Sequence, residues 1–142
     1  MLNIRAKDCQ YTVYPERRLV MCTIPNTTYT FIDDVTNEGM RVFINFNKKW
    51  EKRLKMPDQF VGVSMCHPDD KFDVEIGKQI AYNHARDRFN RSYYTRAQAF
   101  INLLDNYTNK CEEQYNDVGR KLSVAAQYRH KRIKELIAKN TQ

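Results

Sequence analysis

Glycine and proline are scarce in this chain of 142 residues, with four of each. Flexible linkers and low-complexity segments are usually rich in these residues, so their scarcity argues against a long linker. No apolar run approaches the roughly 20 residues that a membrane-spanning helix needs. The first ten residues also lack the apolar core of a signal peptide. We therefore expect a single domain over residues 1–142, located in the cytoplasm.

Cysteine is sparse as well, and its spacing excludes the common zinc templates. Cys9, Cys22, Cys66 and Cys111 form no Cys-x-x-Cys pair, so we expect reduced thiols that pack as small apolar side chains, and no metal or cofactor. Cys66 and His67 are adjacent at a strand end, where successive side chains point to opposite faces, so we do not expect them to form a dyad. Cysteine chemistry would need His84 or His130 brought close by the fold. With no Gly-rich phosphate loop, G-x-S-x-G or H-E-x-x-H present, the sequence predicts a binding protein and not an enzyme.

Positive charge is plentiful and unevenly distributed. The formal net charge is +7. Residues 120–139 hold seven lysines and arginines against Glu135 alone, and a second cluster between Arg86 and Arg96 holds four arginines against Asp87. Surfaces of this kind attract phosphate-bearing ligands, nucleic acid or acidic proteins.

The pattern along the chain predicts an α+β fold, with a strand-rich part over residues 1–68. Strands are expected at 10–14, 19–24, 28–32, 40–46 and 60–65, with 19–32 forming a hairpin. Residues 48–55 are expected to form a helical turn or a loop. The N-terminal half is thus predicted to be an antiparallel sheet of four or five strands.

Residues 69–142 are predicted to be helical and to drive oligomerisation. A helix over 73–89 carries Gly77, Ala81 and Ala85 on one small-residue stripe, and 90–92 is expected to break it. A heptad seam then continues to about residue 138. Such a rod either packs against another subunit or folds back as a hairpin at 106–109 or 117–119. The sequence therefore predicts two or more long helices and a homo-oligomer.

Residues 60–86 hold a spaced pattern formed by Gly62, Val63, Cys66, Pro68, Asp70, Phe72, Asp73, Gly77, Ala81 and Arg86. This pattern resembles a strand–turn–helix unit found in small proteins of phages and prophages of Gram-positive bacteria. A structural role fits these residues best, because Pro68 closes the strand and Asp70 or Asp73 caps the following helix.

The layout of a small sheet followed by long helices also resembles the phage anti-Thoeris sponge proteins. That resemblance implies a phage anti-defence protein in the bacterial host cell, which sequesters a cyclic ADP-ribose-type immune signal without cleaving it. It also implies a ligand pocket at a subunit contact.

The candidate ligand site combines guanidinium groups, which clasp phosphates, with aromatic rings, which stack on bases. It is expected at the junction of two helices and comprises Arg86, Arg88, Phe89, Asn90, Arg91, Tyr93, Tyr94 and Arg96. The alternative function is an anti-CRISPR-like or nucleic-acid-binding module that uses the basic helices to contact nucleic acid or an acidic host protein.

Overall fold

The structure, a computed structural model, describes residues 4–36 and 48–141. The fold is α+β with an N-terminal antiparallel sheet, as the sequence predicted, but the described sheet has three strands and not the four or five expected, and it is followed by one long C-terminal helix. Two 3-10 turns, Ala6–Asp8 and Pro15–Arg17, flank the first strand. The strands are β1 (Gln10–Tyr14), β2 (Leu19–Ile24) and β3 (Phe60–Met65), and the helices are α1 (Thr30–Val35), α2 (Lys48–Leu54) and α3 (Val74–Asn140). The chain divides into two units, Met1–Ile101 and Asn102–Gln142.

The three described strands form one antiparallel sheet in the order β1-β2-β3. Tyr11 lies opposite Cys22, and Cys22 lies opposite Gly62. Because side chains alternate along a strand, this register places Val20, Cys22 and Ile24 on the same face as Gly62. Those three side chains are almost completely buried, so this is the face that carries the core.

The predicted hairpin over residues 19–32 is wrong, because β2 pairs with the distant β3 instead. The segment expected to be its second strand, 28–32, contains the start of α1. The backbone N–H of Thr27 donates to the carbonyl of Asp58, and that of Met56 donates to Thr28. These bonds tie the start of α1 to the chain just before β3. The predicted strand at 40–46 lies outside the described residues. Of the two alternatives left open for 48–55, a helical turn or a loop, the structure has a helix, α2.

The prediction of two or more long helices is also wrong, since α3 runs without interruption from Val74 to Asn140. The expected break at 90–92 and the expected hinges at 106–109 and 117–119 are all helical. Around the first of these, Phe89 and Tyr93 lie four residues apart, and their ring centroids are 6.0 Å apart. Continuing the helix keeps both rings on one face.

The small-residue stripe of α3 allows an unusually close approach to the sheet. A Cβ atom on Gly62 would lie 2.0 Å from the carbonyl oxygen of Ala81 and 2.3 Å from the backbone nitrogen of Ala85. One on Gly77 would lie 2.7 Å from a methyl of Val20. Ala81 and Ala85 are fully buried, so helix and sheet meet almost backbone to backbone.

An aromatic cluster completes the core of the first unit. Phe60 of β3 meets Phe89 of α3 edge to face at 5.6 Å. Phe31 of α1 and Trp50 of α2 both pack edge to face on Phe100 of α3. This geometry is favourable for aromatic pairs, and it fixes α1, α2 and β3 on one helix.

Replacing Gly62 with alanine is expected to cost about 3 kcal/mol or more of unfolding free energy, because overpacking here presses on backbone that cannot move aside. Gly119→Ala is the matched control. A Cβ there meets nothing within 4 Å, and alanine favours an exposed helix by up to about 1 kcal/mol. Urea denaturation measures the free energy of unfolding of both variants. Equal stabilities for the two variants would contradict the close packing at Gly62.

Three ionisable side chains in or beside β1 and β2 have raised pKa values. Burial raises the pKa of the Cys22 thiol to about 11, and burial also raises the pKa of Tyr11 and of Cys9. A pKa raised by folding contributes stability that is complete below the unfolded pKa and is lost as the pH rises through the folded one.

For Cys22, stability should therefore fall between about pH 9 and pH 11, with a slope of at most about 1.4 kcal/mol per pH unit. Cys22→Ala should lower stability at pH 8 and flatten this decline. Cys111→Ala, which removes an exposed thiol, should keep the full slope. Denaturant titrations across this pH range measure all three proteins, and an unchanged slope in Cys22→Ala would disprove the assignment.

Candidate functional site

Local hydrogen bonds stabilise the turn between β3 and α3. Asp73 caps α3, because its carboxylate accepts hydrogen bonds from the backbone N–H groups of Glu75 at 2.9 Å and Ile76 at 3.1 Å. Of the two carboxylates that the sequence offered as caps, Asp73 is therefore the one that caps the helix. Capping is the role that its position just before the helix predicted.

Arg18 fastens this turn to the sheet. It adopts a left-handed backbone conformation with φ of 51°, which is uncommon for residues other than glycine. Its carbonyl accepts the N–H of Cys66 at 2.9 Å, and its guanidinium donates to the Asp70 carbonyl. The same guanidinium lies 3.5 Å from the Cys66 sulfur. His67, next to Cys66 in the chain, has a different neighbour, because its Nδ1 atom lies 3.4 Å from the Asp69 carboxylate. Sequence patterns gave no signal for Arg18.

A cavity of about 390 Å³ adjoins this turn. It is lined by Ser64, Met65, Cys66, His67, Asp70, Lys71, Phe72, Asp73, Ile76, Gly77 and Ile80. The lining contains two carboxylates and only one lysine, so its charge does not suit a phosphate group. Within the described residues, no cluster of three or more His, Cys, Asp and Glu side chains could hold a metal ion.

The eight residues of the predicted ligand site lie on one continuous helix and not at a junction of two helices. Three of the four arginines use their guanidinium groups on backbone carbonyls of the first unit. Arg86 donates to Ile4 at 2.9 Å, Arg88 to Val61 at 3.0 Å, and Arg96 to Lys55 at 3.0 Å. Arg86 and Arg96 are half-buried and act as structural anchors.

Two of the aromatic residues in that set belong to the core. Phe89 is buried, and Arg86 lies over its ring at 5.6 Å. The Tyr93 hydroxyl donates to the Asp34 carboxylate at 2.7 Å, and its ring meets Phe31 at 5.1 Å. These rings are therefore not positioned to stack on a base.

The remaining members of the set are exposed. Asn90, Arg91 and Tyr94 point to solvent, and the side chain of Arg88 is exposed despite its anchoring bond. Tyr94 is 64% exposed. Arg88, Arg91 and Tyr94 follow a spacing of three, which places them on neighbouring parts of one helix face.

This face adjoins a cavity of about 280 Å³ lined by Val63, His84, Asp87, Arg88 and Arg91. His84 Nδ1 lies 2.7 Å from the Val63 carbonyl oxygen, and Arg88 binds the carbonyl of Val61. Side chains of α3 therefore meet two backbone carbonyls of β3. We call His84, Asp87, Arg88, Arg91 and Tyr94 the arginine face. His84 was absent from the predicted site, although it lies one helical turn before Arg88.

Comparisons with known proteins add no assignment. No protein-family model, no curated protein and no solved structure matches the chain. Both resemblances noted in the sequence therefore stay hypotheses. Among the described helices, none has an apolar stretch long enough to cross a membrane.

The division into anchoring and exposed arginines is testable by stability. Arg96→Ala leaves the Lys55 carbonyl without its donor and should cost about 1–3 kcal/mol. Arg91→Ala removes an exposed side chain and should change stability by no more than about 0.5 kcal/mol. Urea denaturation of the two variants beside the parent protein measures the difference, and equal losses would show that the anchoring role of Arg96 is wrong.

Proposed function

We propose that this protein binds a phosphate-bearing, nucleotide-type ligand on the arginine face and holds it without cleaving it. The observation that carries this proposal is the cavity shared by Arg88 and Arg91 at the edge of β3. Two arginines three residues apart on a helix can contact one phosphate or diphosphate group from the same side.

The existing hydrogen bond of Arg88 supports its assignment as a phosphate-binding residue. Its Nη1 atom is held by the Val61 carbonyl, so the side chain is already ordered before a ligand arrives. Ordering a free arginine on binding costs conformational entropy, and a fixed one avoids part of that cost. The exposed Tyr94 ring, three residues after Arg91, supplies a flat surface on which a base can stack.

Asp87 limits which ligands fit. Its carboxylate lies in the same cavity and repels a dense cluster of negative charge. A ligand with one phosphate or diphosphate and additional hydroxyl groups suits this lining better, since hydroxyls donate to a carboxylate. Ribose-containing nucleotides meet both requirements.

Among such ligands, we put forward a cyclic ADP-ribose-type immune signal, with this protein as a phage anti-defence sponge in the bacterial cell. The support for this narrower proposal is the resemblance in layout to the anti-Thoeris sponges, together with the diphosphate and ribose groups that such a signal carries. Sequestration without cleavage needs only binding groups, and the lining provides those.

Calorimetric titration with cyclic ADP-ribose, ADP-ribose, ADP and inorganic phosphate tests the proposal. Saturable binding of at least one nucleotide is expected. Arg91→Ala should weaken it by about 10- to 100-fold, since a hydrogen bond to a charged group contributes about 1.5–3 kcal/mol. Arg53→Ala removes an exposed arginine from α2 and is the matched control, with unchanged affinity.

Two further measurements separate the alternatives. Mass spectrometry of ligand released by denaturing the protein should return it intact, and a cleaved product would overturn the sponge. A short oligonucleotide serves as the other arm of the titration. Binding of the oligonucleotide alone, falling steeply with salt, would favour the nucleic-acid-binding alternative and contradict the nucleotide site.

A further inference from the structure

The helix of the second unit exposes a long row of apolar side chains. Within residues 105–140, every side chain is exposed except Asp117 and Ala125, which are half-buried. Tyr115 is 79% exposed, Leu122 62% and Ile137 60%. Long helices in water take most of their stability from packing an apolar face, so this length of helix requires a partner surface.

Two sets of apolar side chains repeat with a period of eleven residues. Cys111, Leu122 and Ile133 are eleven apart, as are Tyr115, Ala126 and Ile137. An 11-residue step advances an ideal helix by about 20°, so these rows run almost straight along it. The heptad seam predicted from the sequence reaches Arg132, which lies off these rows, whereas Arg129 lies on the same face as Val118, eleven residues before it. We call Cys111, Tyr115, Val118, Leu122, Ala126, Ile133 and Ile137 the C-terminal stripe.

Charge divides this helix into two halves of opposite sign. Residues 102–117 hold Lys110 against four carboxylates, which gives −3, and residues 118–140 hold seven lysines and arginines against Glu135, which gives +6. Among the ion pairs that the structure describes here, Asp117 pairs with Lys121 at 2.9 Å and Glu135 with Arg132 at 3.3 Å. Such exposed pairs within one helix contribute little, so they do not stabilise a lone helix of this length.

We propose that the C-terminal stripe binds the same stripe of a second copy of this chain in antiparallel orientation. A parallel pair would set the acidic half against the acidic half and the basic half against the basic half. An antiparallel pair sets each acidic half against a basic half, and oppositely charged surfaces favour that arrangement. The charge distribution along the helix therefore favours a second copy of the same chain as the binding partner.

The stripe also fixes the register of the pair. With the two-fold axis at Leu122, the middle of the stripe, Leu122 meets its own copy and Cys111 lies opposite Ile133 of the other chain. Tyr115 then lies opposite Arg129, a pairing that a cation–π contact stabilises. Arg129, a poor member of a heptad seam, acquires a partner in this arrangement.

Sedimentation equilibrium tests the association. The parent protein is expected at twice the 17.0 kDa chain mass. Leu122→Glu places two carboxylates face to face on the axis and should raise the dimer Kd by about 100-fold or more. Val124→Glu is the matched control, because Val124 is 66% exposed and lies about 160° from Leu122 around the helix. Trp50 fluorescence checks that the first unit of each variant is folded.

A monomeric parent protein would overturn the proposal, as would a Leu122→Glu variant that dimerises as tightly as Val124→Glu. Mild oxidation then tests the orientation. Ile133→Cys should form a disulfide between Cys111 of one chain and the new thiol of the other, giving a covalent dimer. The same variant carrying Cys111→Ser should not. A covalent dimer of the parent through Cys111 in both chains would show a parallel pair and overturn the antiparallel one.

Discussion

The close approach of α3 to the sheet is the constraint on which the first unit depends. Gly62 has no room for a side chain against the backbone of Ala81 and Ala85, and a Cβ atom on Gly77 would be too close to a methyl of Val20. Backbone-to-backbone contact of this kind fixes both the position and the rotation of the helix. Every side chain of α3 within the first unit takes its direction from that rotation.

The rotation explains why neighbouring arginines differ in role. Arg86 and Arg96 are carried to the backbone carbonyls of Ile4 and Lys55, to which they donate hydrogen bonds. Arg91 is carried to solvent beside the anchored Arg88. Aromatic side chains divide in the same manner, because Phe89 faces the core while Tyr94 faces water. A cluster that is dense in sequence is thus spread around a helix, and only part of it can meet one ligand.

One helix serves two environments along its length. Within Met1–Ile101 the fold of the first unit buries Ala81, Ala85, Phe89 and Phe100. Within residues 105–140 the large apolar side chains are exposed, among them Tyr115, Leu122 and Ile137. Burial of apolar area drives both folding and association, so the proposed pairing of the C-terminal stripe extends to a second copy the same force that packs the first unit. The proposed ligand site lies wholly within the first unit and does not depend on that pairing.

The sequence by itself determined the features that are set by near neighbours. Alternation identified β1, β2 and β3, Asp73 was recognised as a possible cap, and the stripe of Gly77, Ala81 and Ala85 predicted close packing. Only the tertiary structure decided the pairing of β2 with β3, the conversion of residues 28–32 to a turn and helix, and the unbroken path of α3. It also assigned Arg88 to Val61, 27 residues away. Local periodicity records which face of an element is apolar, whereas the partner of that face depends on contacts between distant segments.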